Sequence, residues 1–208
     1  MRKIVGITGT PGTGKTTLSL ELGRRLGYRT VDLKEMINKK LPVRFDTRRE
    51  ARVVDVDLLR KVFEEEVLTS TDDLIVDGLL SPFLPLTHII VLRVNPSILK
   101  RRLEERKYAH EKIFENLEAE VMGVCLYDSL WCDNVLELDA SGGADIARIM
   151  SWLDAGGKVV KEIDWFGEFE SLLKTNVKNR RCGGGRCLRH APEQGSAASE
   201  TGGMDYTG

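Results

Sequence analysis

Eight residues near the start of the chain carry the clearest chemical signal. Residues 9–16 read GTPGTGKT, which is the pattern G-x-x-x-x-G-K-[ST]. Its glycines permit the positive φ angles that turn successive backbone N–H groups towards one point, where they form a nest for an anion. The ammonium of Lys15 would reach the β- and γ-phosphates of a nucleotide, and the hydroxyl of Thr16 would bind Mg²⁺. The segment therefore predicts a site for a nucleoside triphosphate and its magnesium ion.

An acidic side chain is predicted beside this loop. Asp77 ends the run DLIVD over 73–77, which has the apolar character of a buried parallel strand. Because the carboxyl ends of parallel strands meet at the ligand crevice, the Asp77 carboxylate is expected near the phosphates, where it would hold Mg²⁺ through water. The alternative is a strand-end aspartate that caps the next turn. Asp73, at the other end of the run, is expected far from the phosphates.

Apolar periodicity predicts the elements that must position these residues. Short apolar runs typical of buried strands alternate with segments whose apolar residues recur at helical spacing. The predicted strands cover 3–8, 28–31, 73–77, 88–93 and 135–138. The predicted helices cover 15–26, 33–38, 56–68, 95–106, 112–128 and 144–153. This alternation predicts a three-layer α/β fold of the P-loop NTPase type, in which helices cover both faces of a five-stranded parallel sheet.

Composition and charge exclude several classes of protein. The chain has 208 residues, enough for one domain with a core, and its 31 lysines and arginines nearly balance 32 aspartates and glutamates. Balanced charge argues against general binding of nucleic acid through a basic excess. Four cysteines do not make a disulfide scaffold, no secretory segment opens the chain, and no apolar stretch approaches the roughly 18 residues that span a bilayer. We therefore expect a cytoplasmic protein with reduced thiols and no membrane partner.

Two segments depart from the apolar pattern. Residues 39–52 are rich in charge and include Pro42, and we interpret them as a mobile flap outside the core. Residues 178–208 contain seven glycines and few large apolar side chains. Such a segment cannot bury enough surface to offset its ordering entropy, so it is predicted to be disordered.

The chain resembles the archaeal-type adenylate kinases related to adenylate kinase isoenzyme six. The resemblance follows the family's order over about residues 1–175, and its matching stretches are ITGTPGTGKTT, RVVDVDLL, LIVDG, HIIVLRVNP, LKRRLEERKY, ENLEAEV and EIDWFGEFESLL. The phosphate loop alone is common to a whole superfamily. The junction VLRVNP, followed by RLEERKY and the spacing N-x-x-x-E, is much closer to family-specific.

The resemblance implies a division of the chain and a set of site residues. It implies a nucleoside monophosphate kinase domain over 1–175, with a helical monophosphate-binding segment at about 30–53, a short lid at about 103–113 and a disordered tail over 176–208. The residues that it implies for ATP binding are Gly12, Gly14, Lys15, Thr16, Thr17 and the lid arginine Arg106. Lys15, Arg106 and Asp77 are then catalytic, and Thr16 and Asp77 hold Mg²⁺.

The resemblance also implies an activity. This activity is transfer of the γ-phosphoryl group of ATP to AMP, or to a broader set of nucleoside monophosphates, with ATP hydrolysis as a second reaction. Members of the family also act in late maturation of the small ribosomal subunit, so a platform ribosomal protein and pre-small-subunit particles are implied partners. The alternative is a nucleotide-gated assembly factor with little kinase turnover. A kinase for a metabolite hydroxyl is disfavoured, because Asp32-Leu33-Lys34 lacks a second acid for a general base.

One position departs from the family pattern. The family usually places a histidine two residues after the aspartate of this strand, whereas this chain reads Asp77-Gly78-Leu79. That histidine is associated in the family with ATP hydrolysis and with ribosome assembly. Leu79 cannot position water or move a proton, so we expect kinase chemistry to tolerate the change better than ATP hydrolysis.

Several residues keep two interpretations. Asp32 either binds a ribose or caps the helix that begins at Leu33. Arg101 and Arg102 either add to the positive charge of Arg106, whose helix face Arg102 shares at a spacing of four, or lie on a solvated helix surface, which is the expected case for both. Four flap arginines are unranked candidates for the acceptor phosphate, namely Arg44, Arg48, Arg49 and Arg52. No catalytic role is expected for three further residues. His88 is expected to be structural, Cys125 to lie in the core and Cys132 to be partly exposed.

Overall fold

A parallel sheet of five strands forms the centre of the protein. The computed structural model describes residues 2–42, 44–46, 51–160, 163–172 and 174. The strands, in chain order, are β1 (Ile4–Thr8), β2 (Arg29–Asp32), β3 (Arg44–Asp46), β4 (Ala51–Val53), β5 (Leu74–Asp77), β6 (His88–Arg93) and β7 (Val135–Asp139). The central sheet has the order β2-β5-β1-β6-β7, and each pairing in it is parallel. The predicted five-stranded α/β fold is therefore confirmed.

Helices cover both faces of this sheet. They are α1 (Lys15–Leu26), α2 (Leu33–Lys40), α3 (Val56–Glu66), α4 (Pro96–Glu105), α5 (His110–Val121), α6 (Val124–Ser129) and α7 (Ile146–Asp154). One face packs against α1, α4, α5 and α7, and the other against α2, α3 and α6, so that two apolar clusters enclose the strands. Each residue of β1 is buried, which explains why its sequence is continuously apolar instead of alternating.

The register of the sheet brings its polar strand ends together. Asp32 of β2 lies opposite Asp77 of β5, and Asp77 lies opposite Ile7 of β1. The loop that follows β1 therefore starts beside both carboxylates. Asp73, at the other end of β5, accepts a hydrogen bond from the backbone N–H of Lys3 at 2.6 Å, as expected for a residue far from this edge.

The prediction of one long helix over 112–128 is wrong. The structure has two helices, α5 and α6, which are separated by Gly123 with a φ of 65°. A left-handed residue ends a helix, but the apolar spacing continues through it, so periodicity alone did not reveal the break. The prediction that Cys132 is partly exposed is also wrong, because its side chain is buried in the apolar cluster under α3 and α6.

The segment 39–52, interpreted as a flap, contains regular structure for which the sequence analysis gave no bounds. Helix α2 extends to Lys40, and β3 and β4 form an antiparallel pair in which Arg44 lies opposite Val53. Each strand has three residues, too few for an apolar alternation to show in the sequence. Residues 43 and 47–50 lie outside the described residues, and so does the tail 176–208 that was predicted to be disordered. Within the described ranges, no helix combines the length and apolar character that crossing a membrane requires.

His88 opens β6 in a buried and weakly polar environment. Its Nδ1 lies 2.9 Å from the hydroxyl oxygen of Thr87, and its ring meets Trp152 edge to face at 5.5 Å. Among the described residues, Nε2 has no hydrogen-bond partner. Burial lowers the pKa of His88 below its ordinary value of 6.5, and the charge of Lys3 acts in the same direction. The fold therefore stabilises the neutral imidazole.

Protonation of His88 gives the protein a pH-dependent stability. Because the pKa is lower in the folded chain, the unfolded chain binds more protons once the pH falls below about 6.5, and acidification destabilises the fold. We expect the free energy of unfolding, measured with urea at about pH 7.5 and about pH 5.5, to fall more in the wild type than in His88→Asn. An identical change in the two proteins would contradict this assignment.

Candidate nucleotide-binding site

The turn between β1 and α1 has the glycine-dependent backbone that the sequence predicts. Gly9, Gly12 and Gly14 have φ angles of 142°, 97° and 101°, and Gly14 is the residue that precedes helix α1. A Cβ atom on Gly9 would lie 2.5 Å from the carbonyl oxygen of Leu92. Side chains at these positions would strain the backbone or collide with β6. The loop can therefore keep this shape only with glycine, and the N-terminus of α1 adds a partial positive charge to it.

Lys15 is the first residue of α1, and its side chain folds back over the loop. Its ammonium donates hydrogen bonds to the carbonyl oxygens of Gly9 at 2.8 Å and Thr10 at 3.0 Å. Burial lowers the pKa of Lys15, and the nearby carboxylates of Asp77 and Glu120 act against that shift. The charge of Arg106 acts in the same direction as burial. The structure thus places one cation inside the loop and brings a second within electrostatic range.

Asp77 lies beside Thr16 at the start of the same helix. The Asp77 side chain is buried, and burial raises the pKa of its carboxyl group. A hydrogen bond with the Thr16 side chain and the charge of Lys15 act in the opposite direction. The two predicted Mg²⁺ ligands are therefore neighbours. A hydroxyl and a carboxylate are hard oxygen donors that fit Mg²⁺, which needs few protein ligands because it retains water and binds substrate phosphates.

Two cavities adjoin the loop. The first, which we call the β5 cavity, has a volume of about 520 Å³ and includes Lys15, Thr16, Asp32, Asp77, Leu79 and Val54 in its lining. The second, the α4 cavity, has a volume of about 430 Å³ and includes Gly12, Gly14, Thr17, Arg102, Arg106 and Ile146. Consecutive residues of the loop and of α1 line one cavity or the other. Two separate ligands can thus approach the same phosphate-binding segment.

Asp32 and Leu79 shape the β5 cavity. The Asp32 carboxylate accepts hydrogen bonds from the backbone N–H groups of Lys34 at 2.8 Å and Glu35 at 3.1 Å, so it caps α2 as one of its two interpretations predicts. Leu79 is 48% exposed, and its carbonyl oxygen accepts a hydrogen bond from the Thr8 hydroxyl. The wall of the cavity at this position is apolar, where the family pattern would place an imidazole.

The expectation that Arg102 lies on a solvated surface is wrong. Its guanidinium donates to the carbonyl oxygens of Gly12 at 3.2 Å, Ala140 at 3.4 Å and Ser141 at 3.2 Å. It thereby joins the phosphate loop to the segment after β7. Its neighbour Arg101 is exposed, as expected. Only the helical spacing of four from Arg106 pointed towards this contact, and that spacing does not reveal which carbonyl groups face the helix.

Arg106 lies directly after α4 and within the predicted lid. It is exposed, it follows the last helical residue Glu105, and it lines the α4 cavity. Lys107 has a φ of 58°, which turns the chain sharply away from the helix. The side chain of Arg106 is therefore at the edge of the cavity, and its predicted contact with ATP phosphates remains a prediction.

Several known proteins are similar to this chain. Residues 5–123 match the model of a family described as "AAA domain". A protein of Methanocaldococcus jannaschii named "Putative adenylate kinase" is 37% identical over 179 residues, which cover 84% of this chain and 99% of the relative. A protein of the same name from Thermococcus onnurineus is 36% identical over 177 residues, covering 82% and 96%. Among solved structures, a gluconokinase from Sinorhizobium meliloti 1021 matches with a TM-score of 0.42 and 14% identity, covering 86% of this chain and 99% of the other.

The fold, the glycine-rich loop and the sequence comparisons together define the class of protein. The parallel sheet with a glycine-rich loop after β1 is that of a P-loop nucleotide-binding protein. Within this class, the chain belongs to the family of archaeal proteins represented by the relatives named "Putative adenylate kinase". The family resemblance predicted from the sequence is confirmed.

The contacts of Arg102 predict a measurable difference between two adjacent arginines. Arg102→Met removes the hydrogen bonds that hold the loop to the segment after β7, whereas the control Arg101→Met removes only an exposed partner of Glu105. We expect Arg102→Met to lower the free energy of unfolding by about 2 kcal/mol and to weaken MgADP binding about 10-fold. Urea unfolding and titration calorimetry measure the two effects. Equal behaviour of the two variants would contradict the role given to Arg102.

Proposed function

We propose that this protein is a nucleoside monophosphate kinase that transfers the γ-phosphoryl group of ATP to AMP, giving two molecules of ADP. The observation that carries the proposal is the phosphate loop with a cavity on each side of it. The kinase domain of the proposal spans residues 1–175, with a monophosphate-binding segment at about 30–53, a lid at about 103–113 and a tail over 176–208. The family named in the previous subsection supports the choice of an adenine nucleotide.

The α4 cavity is the proposed site of ATP. Gly12, Gly14 and Thr17 line it, and backbone N–H groups at the start of α1 favour phosphate oxygens. Arg106 lies at its edge, where closure of the lid segment would bring a guanidinium to the phosphates. The proposed ATP-binding residues are Gly12, Gly14, Lys15, Thr16, Thr17 and Arg106.

The β5 cavity is the proposed site of AMP. Leu33, Ile37 and Val54 give it apolar walls on which a base can pack, and Asp32 adds a polar edge. Lys15 and Asp77 lie where this cavity meets the loop. A monophosphate bound here would direct its phosphate towards the end of a triphosphate bound on the other side. Closure over both ligands would exclude water and limit loss of ATP by hydrolysis.

The proposed chemistry needs positioning and positive charge more than proton transfer. The phosphate of AMP is already an anionic nucleophile, so the reaction needs no strong general base. In the proposed mechanism, Lys15 and Arg106, whose charges already act on each other, would stabilise the charge that develops on the transferred phosphoryl group. Thr16 and Asp77 would hold Mg²⁺, which would neutralise part of that charge. Lys15, Arg106 and Asp77 are therefore the proposed catalytic residues.

The family resemblance extends the proposal to a second activity. This extension comprises ATP hydrolysis and a cytoplasmic role in late maturation of the small ribosomal subunit, with a platform ribosomal protein and pre-small-subunit particles as partners. A nucleotide-gated assembly factor with little kinase turnover is the corresponding alternative. The apolar Leu79 in the β5 cavity favours the kinase, because it offers no group that can orient water or accept a proton.

Lys15→Ala tests the kinase directly. Loss of the ammonium removes the charge that the loop holds through Gly9 and Thr10, and we expect kcat/KM for ADP formation from ATP and AMP to fall on the order of 100-fold or more. Chromatographic separation of the nucleotides gives the rate. Lys61→Ala, which removes an exposed lysine of α3, is the control and should match the wild type. Phosphorylation of AMP by Lys15→Ala at the wild-type rate would overturn the proposed function.

Leu79→His tests the extension to ATP hydrolysis. An imidazole in the β5 cavity can orient water and move a proton, so we expect phosphate release from ATP without AMP to rise on the order of 10-fold. Leu79→Asn supplies a polar side chain without a titratable group and should stay close to the wild type. If hydrolysis is the same in all three proteins, the apolar residue is not what limits it.

A further inference from the structure

A group of buried charges lies directly beneath the phosphate loop. The Arg93 cluster consists of Arg93 at the end of β6, Glu120 near the end of α5 and Glu137 in β7, each no more than 3% exposed. The Nε atom of Arg93 donates to Glu120 at 2.8 Å, and its guanidinium also pairs with Glu137. A terminal nitrogen of Arg93 donates to the backbone carbonyl of Glu120 as well.

Burying the charges of the Arg93 cluster costs free energy that a purely stabilising role does not explain. It holds two carboxylates and one guanidinium, and removing charges from water costs free energy that an ion pair often does not recover. Apolar side chains of similar volume would fill the space at no such cost. Polar groups outside the cluster also donate hydrogen bonds to its carboxylates, among them the Thr10 hydroxyl, the Val94 N–H at 3.0 Å and the Ile163 N–H at 3.1 Å. The first of these belongs to the phosphate loop.

Thr10 is the residue through which the loop and its lysine are held. Its carbonyl oxygen accepts hydrogen bonds from the Lys15 ammonium at 3.0 Å, from the Thr13 N–H at 3.3 Å and from the Thr13 hydroxyl at 2.9 Å. Its own hydroxyl donates to the carboxylate of Glu120. Thr10 occupies a position that the pattern G-x-x-x-x-G-K-[ST] leaves free, so the pattern does not account for this bond.

We propose that Glu120 is a positioning residue for phosphate binding. Glu120 fixes Thr10, and Thr10 fixes the carbonyl group that holds Lys15 and the turn at Thr13. The bond between Thr10 and Glu120 therefore keeps the loop in the shape that accepts nucleotide phosphates. This inference rests on the proposed function in that the loop must bind a nucleotide. It does not depend on which monophosphate accepts the phosphoryl group.

Helix α5 connects Glu120 with the predicted lid. Helix α5 begins at His110, within the predicted lid, and Glu120 lies two residues before Met122, which follows the helix. The same helix thus emerges from the lid at one end and holds the phosphate loop at the other. Arg93 and Glu137 extend the connection to Ile163 in the segment that follows β7 and α7.

The test removes the hydroxyl of Thr10 without touching an ion pair. Thr10→Val keeps the shape of the side chain and loses the donor, and Thr10→Ser keeps the donor and should recover most of the affinity. We expect Thr10→Val to weaken MgADP binding about 10-fold in titration calorimetry and to raise KM for ATP similarly, with KM for AMP within about twofold of wild type. In a protein that already carries Glu120→Gln, Thr10→Val should weaken MgADP binding much less than it does in the wild type.

A matched control separates positioning from stability. Thr87→Val removes a different hydroxyl, which is partly buried and bonds to Ile4 at the opposite end of the sheet. It should lower the urea midpoint and leave MgADP binding unchanged. The inference is overturned if Thr10→Val binds MgADP as the wild type does, if both KM values rise together, or if Thr10→Ser is as weak as Thr10→Val. A wild-type protein that binds no MgADP would overturn the proposed function, and this inference with it.

Discussion

Phosphate binding in this protein depends on one constraint, which is the conformation of the loop between β1 and α1. Glycines with positive φ angles turn the backbone, and the Lys15 ammonium closes the turn through the carbonyl groups of Gly9 and Thr10. In this arrangement, the N-terminus of a helix and a cation act on one small volume, which is the electrostatic requirement for binding phosphates. The parallel sheet serves this loop, because its register brings Asp32 and Asp77 to the same edge.

The loop joins two parts of the protein that differ in character. On one side, Arg102 fixes the loop to the segment after β7, and Arg106 lies in the predicted lid. On the other side, the β5 cavity combines apolar walls with Asp32, whose carboxylate is already committed to capping α2. A rigid centre with a separate cavity on each side suits transfer between two bound molecules, since transfer depends on how they are positioned.

Sequence reasoning succeeded where one residue type was required for local reasons. The loop, α1 and the buried strands follow from glycine conformation and from continuous apolar runs, and Asp32 caps a helix as its type predicts. Sequence reasoning failed to predict side-chain contacts that depend on tertiary neighbours. Nothing in a sequence shows that Arg102 meets carbonyl groups some 40 to 90 residues away, or that Glu120 meets Thr10. The short strands β3 and β4 gave too few residues for a pattern.

The most direct test of the central claim uses one molecule that spans both cavities. Two adenosines joined by five phosphates would place one base in the α4 cavity, the other in the β5 cavity and the phosphate chain across Lys15. The account predicts that this compound binds as one equivalent, far more tightly than ADP, and competes with both ATP and AMP. Binding no tighter than that of ADP, or competition with only one substrate, would contradict a phosphate loop shared by two nucleotide sites.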